Sequence, residues 1–270
     1  MTRHLLPQPG LGTYRLKEQA VIDSVTSALE LGYRHLDSAQ MYENEAAVGK
    51  AIRQSGVARD ELFVTTKIWW DKLEPEALTR AVEQSLENFG LEQLDLILIH
   101  WPSPGDEVPM ADYIAALDAA RARGQTRHIG VSNFTVAQID QALGLPGGEN
   151  IVTNQIEVHP FLANRKLVEH CQAKGLDVTA YMPLAVGKVM KDPVLERIAN
   201  AHDASPAQVA LAWIAARDII VIPSSTNPAN QKSNLKAMKL RLSDDDIAQI
   251  DDLDRGDRQA NPSFAPQWDE

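Results

Sequence analysis

The segment LDLILIH, residues 94–100, is a short apolar run that ends in a polar residue. A run of this length, with large apolar side chains at most positions, is typical of a strand buried on both faces, as in a parallel sheet. Six other segments repeat the pattern: HLD (35–37), LFVTTK (62–67), IGVSN (129–133), IVTNQ (151–155), VTAY (178–181) and IIVIPS (219–224). The sequence therefore predicts a sheet of parallel strands.

Helical patterns separate these apolar runs. Helices are expected at residues 18–31, 44–54, 74–89, 112–123, 135–143, 164–174, 206–217 and 243–253. Ser243 is a good N-cap for the last of these helices, because three aspartates follow it in the positive first turn. This alternation of strand and helix predicts the α/β class.

The spacing of the strand ends predicts the architecture. With Thr13 counted as the end of a first short strand, eight ends recur about every 30 residues up to Ser224, as in a (β/α)8 barrel. The long interval between Tyr181 and Ser224 holds two helical patterns, so we expect one or two extra helices. A doubly wound open sheet is the alternative, but GLG (10–12) lacks the third glycine of a dinucleotide-binding turn. We predict a single domain over residues 1–270.

The composition excludes several classes of function. The 270 residues carry 26 lysines and arginines against 37 aspartates and glutamates, which gives a net charge of −11. Such a chain, without a basic run, binds nucleic acids and anionic membranes poorly. The amino terminus lacks the apolar region of a signal peptide, no apolar run is long enough to span a membrane, and Cys171 is the single cysteine. We expect a cytoplasmic protein without disulfides.

Four residues at or near the predicted strand ends have the chemistry of carbonyl reduction: Asp37, Tyr42, Lys67 and His100. In a barrel these strand ends converge on one mouth. A lysine held by a carboxylate is expected to lower the pKa of a nearby tyrosine and make it a better general acid. A histidine within reach would orient a carbonyl oxygen. Each residue alone also has a structural interpretation, as a buried ion pair, a core histidine or a surface tyrosine.

Other chemistries fit the sequence less well. It has no His-x-x-x-His or Cys-x-x-Cys spacing for a metal site, and GVSNF (130–134) lacks the second glycine of a nucleophile elbow. A lyase that uses Lys67 to form an imine stays open, although it needs a lysine with a depressed pKa and Asp37 opposes that shift. A catalytically silent, nucleotide-binding redox sensor is a third hypothesis.

The motifs at the strand ends resemble those of the aldo-keto reductase family. The matching segments run in order along the chain: GYRHLDSA (32–39), YENE (42–45), TKIW (66–69), LIHWP (98–102), GVSNF (130–134), NQIE (154–157) and IPSS (222–225). The resemblance implies an NADPH-dependent, metal-free, monomeric reductase of small carbonyls such as methylglyoxal or 2,5-diketo-D-gluconate. It implies that Tyr42 is the general acid, that Lys67 and Asp37 tune it, and that His100 orients the substrate carbonyl.

The resemblance also implies a cofactor site. Ser132, Asn133 and Gln155 are expected to hold the nicotinamide carboxamide, with Tyr181 stacked on the ring. Further cofactor contacts are expected at Gly12, Thr13, Leu184, Ser224, Ser225, Thr226, Asn230 and Asn234.

Two of these positions depart from the family pattern. Ser224 and Asn230 stand where many family members have a lysine and an arginine that grip the 2′-phosphate of NADPH. A phosphate prefers charge-assisted donors, and Lys232 is the one cation close in sequence. We therefore expect NADPH, bound by neutral donors and Lys232, with NADH as an alternative cofactor.

Aromatic side chains are expected to line the substrate pocket, since ligand pockets are mostly apolar. The candidates are Tyr14, Trp69, Trp70, Trp101 and Trp268. The chain beyond Leu253 is short, so we expect a small lid and an open pocket.

Overall fold

The computed structural model describes residues 4–269, and in that part of the chain eight parallel strands form one sheet in sequence order. The strands are β1 (Leu11–Gly12), β2 (His35–Asp37), β3 (Phe63–Ile68), β4 (Leu94–Ile99), β5 (Thr126–Ser132), β6 (Ile151–Glu157), β7 (Asp177–Tyr181) and β8 (Ile220–Val221). The predicted α/β class, with a parallel sheet, is confirmed.

Helices alternate with the strands. They are α1 (Glu18–Leu31), α2 (Glu45–Ser55), α3 (Pro75–Phe89), α4 (Met110–Ala122), α5 (Val136–Leu143), α6 (Arg165–Ala173), α7 (Pro193–Ala201), α8 (Pro206–Ala216), α9 (Pro228–Ala237) and α10 (Asp244–Asp251). The eight predicted helices are all present, with ends that agree within about two residues, the usual uncertainty of helix boundaries. Ser243 caps α10 by accepting a hydrogen bond from the backbone N–H of Asp246, as the sequence predicts.

Two helices lie outside the simple alternation. Helix α7 precedes α8 between β7 and β8, and α10 follows α9 after β8. The sequence predicted the extra helix between Tyr181 and Ser224.

Helix α9 was not predicted. Its sequence, PANQKSNLKA, has a weak apolar stripe, and the local signals are the N-cap Asn227 and Pro228 at its start.

The alternation of side chains along β4 explains how the sheet presents polar residues at its carboxyl edge. Leu96 and Leu98 pack in a small cluster with Leu6, Phe63 and Ile220. Ile97 and Ile99 point the other way, into the large core shared with the helices. Since alternate residues of a strand share a face, His100 continues the row of Leu96 and Leu98.

Backbone hydrogen bonds also connect the two ends of the sheet. Gly10 N–H donates to the carbonyl of Val221 at 2.9 Å, and Gly12 N–H donates to that of Pro223 at 3.1 Å. A Cβ atom at Gly12 would lie 2.7 Å from the carbonyl oxygen of Ile222, so this close approach requires glycine. The first and last strands are therefore held side by side.

Candidate active site

A cavity of about 540 Å³ lies at the carboxyl ends of the strands. Twelve residues that the sequence analysis singled out line it: Gly12, Thr13, Tyr14, Asp37, Tyr42, Trp69, His100, Trp101, Asn133, Gln155, Tyr181 and Ser224. The other singled-out residues lie outside the lining: Lys67, Trp70, Ser132, Leu184, Ser225, Thr226, Asn230, Asn234 and Trp268. The structure thus brings the four expected reactive side chains to one place, with Lys67 directly behind the cavity wall.

Lys67 and Asp37 form a buried ion pair. Strands β2 and β3 are parallel neighbours, with Asp37 paired to Thr65, so Lys67 lies two residues further along the same face. The Lys67 ammonium donates to Asp37 Oδ1 at 2.5 Å, to the Ser38 carbonyl at 2.8 Å and to Tyr42 Oη at 3.4 Å. Both side chains of the pair are 1–2% exposed. The ammonium therefore has a fixed position next to the tyrosine hydroxyl.

The pKa of Tyr42 differs from the value that the sequence analysis expected. Burial, reinforced by the negative charge of Asp37 and by Tyr14, raises the pKa of the Tyr42 phenol well above its usual range. The expected net lowering is wrong for this arrangement, because desolvation of the half-buried phenol and the charge of Asp37 outweigh the effect of the Lys67 ammonium. Tyr42 is therefore fully protonated at neutral pH.

Lys67 also departs from expectation. Burial lowers the pKa of the Lys67 ammonium, although Asp37 acts to raise it. The sequence analysis considered only the effect of Asp37, and desolvation of a side chain that is 1% exposed is the larger effect.

His100 faces Tyr42 across the cavity. Its ring centroid lies 5.7 Å from that of Tyr42 and 4.9 Å from that of Trp69, both edge to face. Burial, and then the charge of Lys67, holds the pKa of His100 well below its usual range. His100 Nδ1 is buried without a hydrogen-bond partner in the described chain, so a proton there would be unsatisfied. The neutral tautomer with a proton on Nε2 is therefore favoured.

Polar side chains near the carboxyl ends of β5 and β6 bond to Asp37 or to the backbone of His100, and Tyr181 of β7 bonds to one of them. Gln155 Nε2 donates to Asp37 Oδ2 at 2.7 Å. Tyr181 Oη donates to Asn133 Oδ1 at 2.7 Å, and Asn133 Nδ2 donates to the His100 carbonyl at 3.0 Å and to Ser132 Oγ at 3.2 Å. Asn133 has a φ of 63°, which asparagine tolerates better than most residues. Strand β6 continues to Glu157, so Gln155 lies inside the strand and not at its end.

Of the expected cofactor residues in the segment after β8, only Ser224 lines the cavity. Ser224 lines the cavity, whereas Ser225 and Thr226 lead into the N-cap Asn227 of α9. Asn230 and Lys232 are exposed on that helix. The Asn234 side chain is 4% exposed and is hydrogen-bonded to Tyr33. Leu184 lies in the loop after β7, just before a 3-10 segment.

Only some of the five aromatic residues expected in the substrate pocket line the cavity. Tyr14, Trp69 and Trp101 line the cavity, whereas Trp70 and Trp268 do not line it and pack against Phe264 and Trp101, respectively. The sequence analysis missed the residue at the centre of this cluster. The Phe264 ring lies 5.7 Å from Trp69, 5.4 Å from Trp70 and 5.5 Å from Trp101.

Residues after α10 complete the cavity. The carboxyl-terminal wall, as we call Gln259, Ala260, Asn261, Pro262 and Phe264, lines one side of it. The sequence analysis expected only a short lid here. Two aromatic residues in an otherwise polar tail, Phe264 and Trp268, were the available signal that this segment packs against something. Arg15, Met41, Met182, Pro183 and Ile222 were also missed, and all five belong to segments that follow strands.

The part of the chain that the structure describes has neither a cluster of metal-ligating side chains nor a membrane-spanning helix. No group of three or more histidine, cysteine, aspartate or glutamate side chains there is placed to hold a metal ion. Over residues 4–269, no helix is both long and apolar enough to cross a bilayer.

The sequence profile of the aldo/keto reductase family matches residues 8–255, which is most of the chain. The chain belongs to the aldo/keto reductase family. It is similar to the methylglyoxal reductase DkgB of Escherichia coli O157:H7, with 51% identity over 98% of this chain and 99% of that protein. Membership makes the chain an oxidoreductase, and it confirms the family resemblance seen in the motifs.

Solved structures of aldo/keto reductases agree with this fold. A crystal structure of a candidate 2,5-diketo-D-gluconic acid reductase B superposes with a TM-score of 0.92 and 39% identity, covering 97% of this chain and 93% of that one. The aldose reductase of Schistosoma japonicum superposes with a TM-score of 0.89 and 33% identity, over 97% of this chain and 95% of that one.

Proposed function

We propose that this aldo/keto reductase uses NADPH to reduce small aldehydes and ketones, with Tyr42 as the general acid. One observation carries the proposal: the protonated Tyr42 hydroxyl lies 3.4 Å from the Lys67 ammonium of a buried ion pair, in a cavity that His100 also lines. The four side chains together can bind a carbonyl oxygen and protonate it. The names of the relatives support methylglyoxal and 2,5-diketo-D-gluconate as substrates.

The residues around the cavity fit a nicotinamide cofactor. The cavity reaches from Tyr42 past Tyr181 to Ser224, so it offers a flat aromatic face between the reactive cluster and the loop after β8. Gln155 Oε1 makes no hydrogen bond within residues 4–269, and Asn133 Oδ1 accepts one bond where it has capacity for two. These oxygens can accept the N–H groups of a carboxamide. When bound, the cofactor supplies the hydride that reduces the carbonyl carbon.

The protein's own contribution is to bind the carbonyl oxygen and supply its proton. Neutral His100 donates a hydrogen bond from Nε2, which orients the oxygen toward Tyr42. Tyr42 transfers its proton to that oxygen as negative charge develops on it. The adjacent Lys67 ammonium stabilises the tyrosinate that remains, and Asp37 keeps the ammonium in place. Tyr42 is thus protonated before the reaction, and the Lys67 ammonium reduces the cost of the negative charge that proton transfer leaves on it.

A direct assay tests the proposal. Purified protein with methylglyoxal is expected to oxidise NADPH, measured as loss of NADPH absorbance. NADPH is expected to give a higher kcat/KM than NADH. Absence of oxidation with methylglyoxal, 2,5-diketo-D-gluconate and a panel of other aldehydes would contradict the proposed reductase function.

The preference for NADPH is expected to be modest and open to change at Ser224. This residue is exposed and lines the cavity where a basic residue is common in the family. Ser224→Lys adds a charge-assisted donor for the 2′-phosphate and is expected to raise the NADPH to NADH ratio of kcat/KM about tenfold. Gln141→Lys, at an exposed position of α5, adds the same charge elsewhere and serves as the control. An unchanged ratio in Ser224→Lys would place the phosphate elsewhere.

The pH dependence of reduction is expected to lack a histidine transition. Burial and Lys67 hold the pKa of His100 well below its usual range, so His100 stays neutral as the pH rises from about 5.5 to 8.5. It would gain a proton, and activity would fall, only at more acidic pH. The measurement is kcat/KM for methylglyoxal across that range. A large change centred near pH 6.5, absent in His100→Gln, would contradict this assignment.

A Schiff-base lyase fits the geometry less well. The lowered pKa of Lys67 is a property that such an enzyme needs. However, Lys67 does not line the cavity, and its ammonium already donates to Asp37, Ser38 and Tyr42. A silent redox sensor would not need this complete set of reactive side chains.

Three further features belong to the same proposal. The hydrogen bonds from Gly10 and Gly12 to the β8 segment support a closed (β/α)8 barrel. A single domain spanning residues 1–270 is consistent with one continuous sheet and a large core shared by all its helices. We also propose a cytoplasmic monomer, on the basis of the family resemblance and the single, buried cysteine.

A further inference from the structure

The carboxyl-terminal wall is held by a buried carboxylate that the proposed mechanism does not use. Glu157, at the end of β6, is fully buried. Its carboxylate accepts the backbone N–H of Gln259 at 2.6 Å, the N–H of Ala260 at 2.8 Å and His159 Nε2 at 2.9 Å. Charge-assisted hydrogen bonds of this kind are strong. They fix two consecutive residues of a segment that has no regular secondary structure.

Aromatic packing fixes the rest of the segment. Phe264 packs among Trp69, Trp70 and Trp101, and the ring of Trp268 lies 5.9 Å from that of Trp101. The Arg258 guanidinium lies 3.8 Å from the centroid of the Trp268 ring. The wall is therefore anchored on both sides of Asn261.

The Asn261 side chain has a defined orientation. Trp268 Nε1 donates to Asn261 Oδ1 at 2.9 Å. An indole N–H only donates, so the amide oxygen must face Trp268 and the amide nitrogen must face away. Asn261 Nδ2 has no hydrogen-bond partner within residues 4–269, and Asn261 lines the cavity. Asn261 is exposed, so its amide nitrogen is an accessible, oriented donor at the rim of the cavity, close to the aromatic side chains around Phe264.

We propose that Asn261 is a specificity-determining residue that donates a hydrogen bond to an oxygen on the substrate chain beyond the reacting carbonyl. The substrate class it favours is a carbonyl compound with hydroxyl or carboxylate groups, over an apolar aldehyde of the same length. Trp268 acts as a positioning residue through Asn261. This inference rests on the proposed reductase function and adds a substrate preference to it.

The test compares two six-carbon substrates, 2,5-diketo-D-gluconate and hexanal. In Asn261→Leu, the ratio of their kcat/KM values is expected to fall about tenfold relative to the wild type, mainly through a higher KM for the oxygen-rich substrate. Trp268→Phe keeps the ring beside Trp101 and Arg258 but removes the N–H. It is expected to shift the ratio in the same direction by a smaller factor, and to add nothing in the Asn261→Leu background.

Two outcomes overturn the inference, and they differ in what they mean for the proposed function. If the wild type reduces both substrates and Asn261→Leu leaves the ratio of their kcat/KM values unchanged, Asn261 does not determine substrate specificity. The reductase proposal then stands. If the wild type reduces neither substrate nor methylglyoxal, both proposals fail. A merely structural role would lower both kcat/KM values equally and leave their ratio unchanged, which is the first of these two outcomes.

Discussion

Tyr42→Phe is expected to lower kcat for methylglyoxal reduction at least ~100-fold, the scale that follows from loss of a general acid. The substitution removes only the hydroxyl that lies 3.4 Å from Lys67 Nζ, and the phenyl ring keeps its edge-to-face packing against His100. The affinity for NADPH, measured by quenching of intrinsic fluorescence, is expected to change less than about threefold, since no hydrogen bond assigned to the cofactor involves this hydroxyl.

Tyr14→Phe is the matched comparison for this variant. The Tyr14 ring lies 5.1 Å from that of Tyr42 and lines the same cavity, so its hydroxyl tests the general effect of removing a phenol there. Its loss of kcat is expected to be much smaller than that of Tyr42→Phe. Activity near the wild-type level in Tyr42→Phe, with the melting temperature unchanged, would refute Tyr42 as the proton donor.

Lys67→Met is expected to reduce both activity and stability. Methionine roughly fills the space but leaves the Asp37 carboxylate buried, with Gln155 Nε2 as its remaining side-chain donor. Removing one partner of a buried ion pair typically costs about 3–5 kcal/mol of unfolding free energy. Without the ammonium, a tyrosinate at Tyr42 loses its stabilising charge, so we expect kcat to fall about 1,000-fold. Urea denaturation and steady-state kinetics measure the two effects.

The double variant Lys67→Met/Asp37→Asn separates stability from catalysis. It removes both charges, so no uncompensated carboxylate stays buried, and most of the lost unfolding free energy should return. Activity should stay low, because the tyrosinate still has no adjacent cation. Recovery of activity in the double variant would mean that the lysine charge is not required. Wild-type stability in the single variant would mean that the pair is not strictly buried in solution.

Local sequence patterns were sufficient for the strands and most helices because each of these elements carries its own signal. LDLILIH (94–100) is apolar at most positions and became β4, and all eight predicted helices are present. Helix α9 was missed because its weak apolar stripe gives little local signal. Its contacts with α1, such as the hydrogen bond between Ser27 and Gln231, join residues far apart in sequence.

Charge states were harder to predict than positions. The sequence correctly suggested that Asp37, Tyr42, Lys67 and His100 would meet, because parallel strands place their carboxyl ends at one edge. The direction of the Tyr42 pKa shift was wrong, because that shift depends on how deeply the phenol is buried. Burial is a property of everything packed around a group, and no short motif encodes it.

The sequence by itself determined the α/β class, the order of the strands and of most helices, and which polar residues lie together at the strand ends. These follow from apolar periodicity and from polar residues at strand ends, which are local properties of the chain. Only the tertiary structure decided that residues 259–264 form a wall of the cavity, with Phe264 among three tryptophans. That wall depends on Glu157 accepting two backbone N–H groups from residues about a hundred positions later in the chain. A contact between residues so far apart in the chain produces no periodic pattern in the sequence, so it could not be predicted from one.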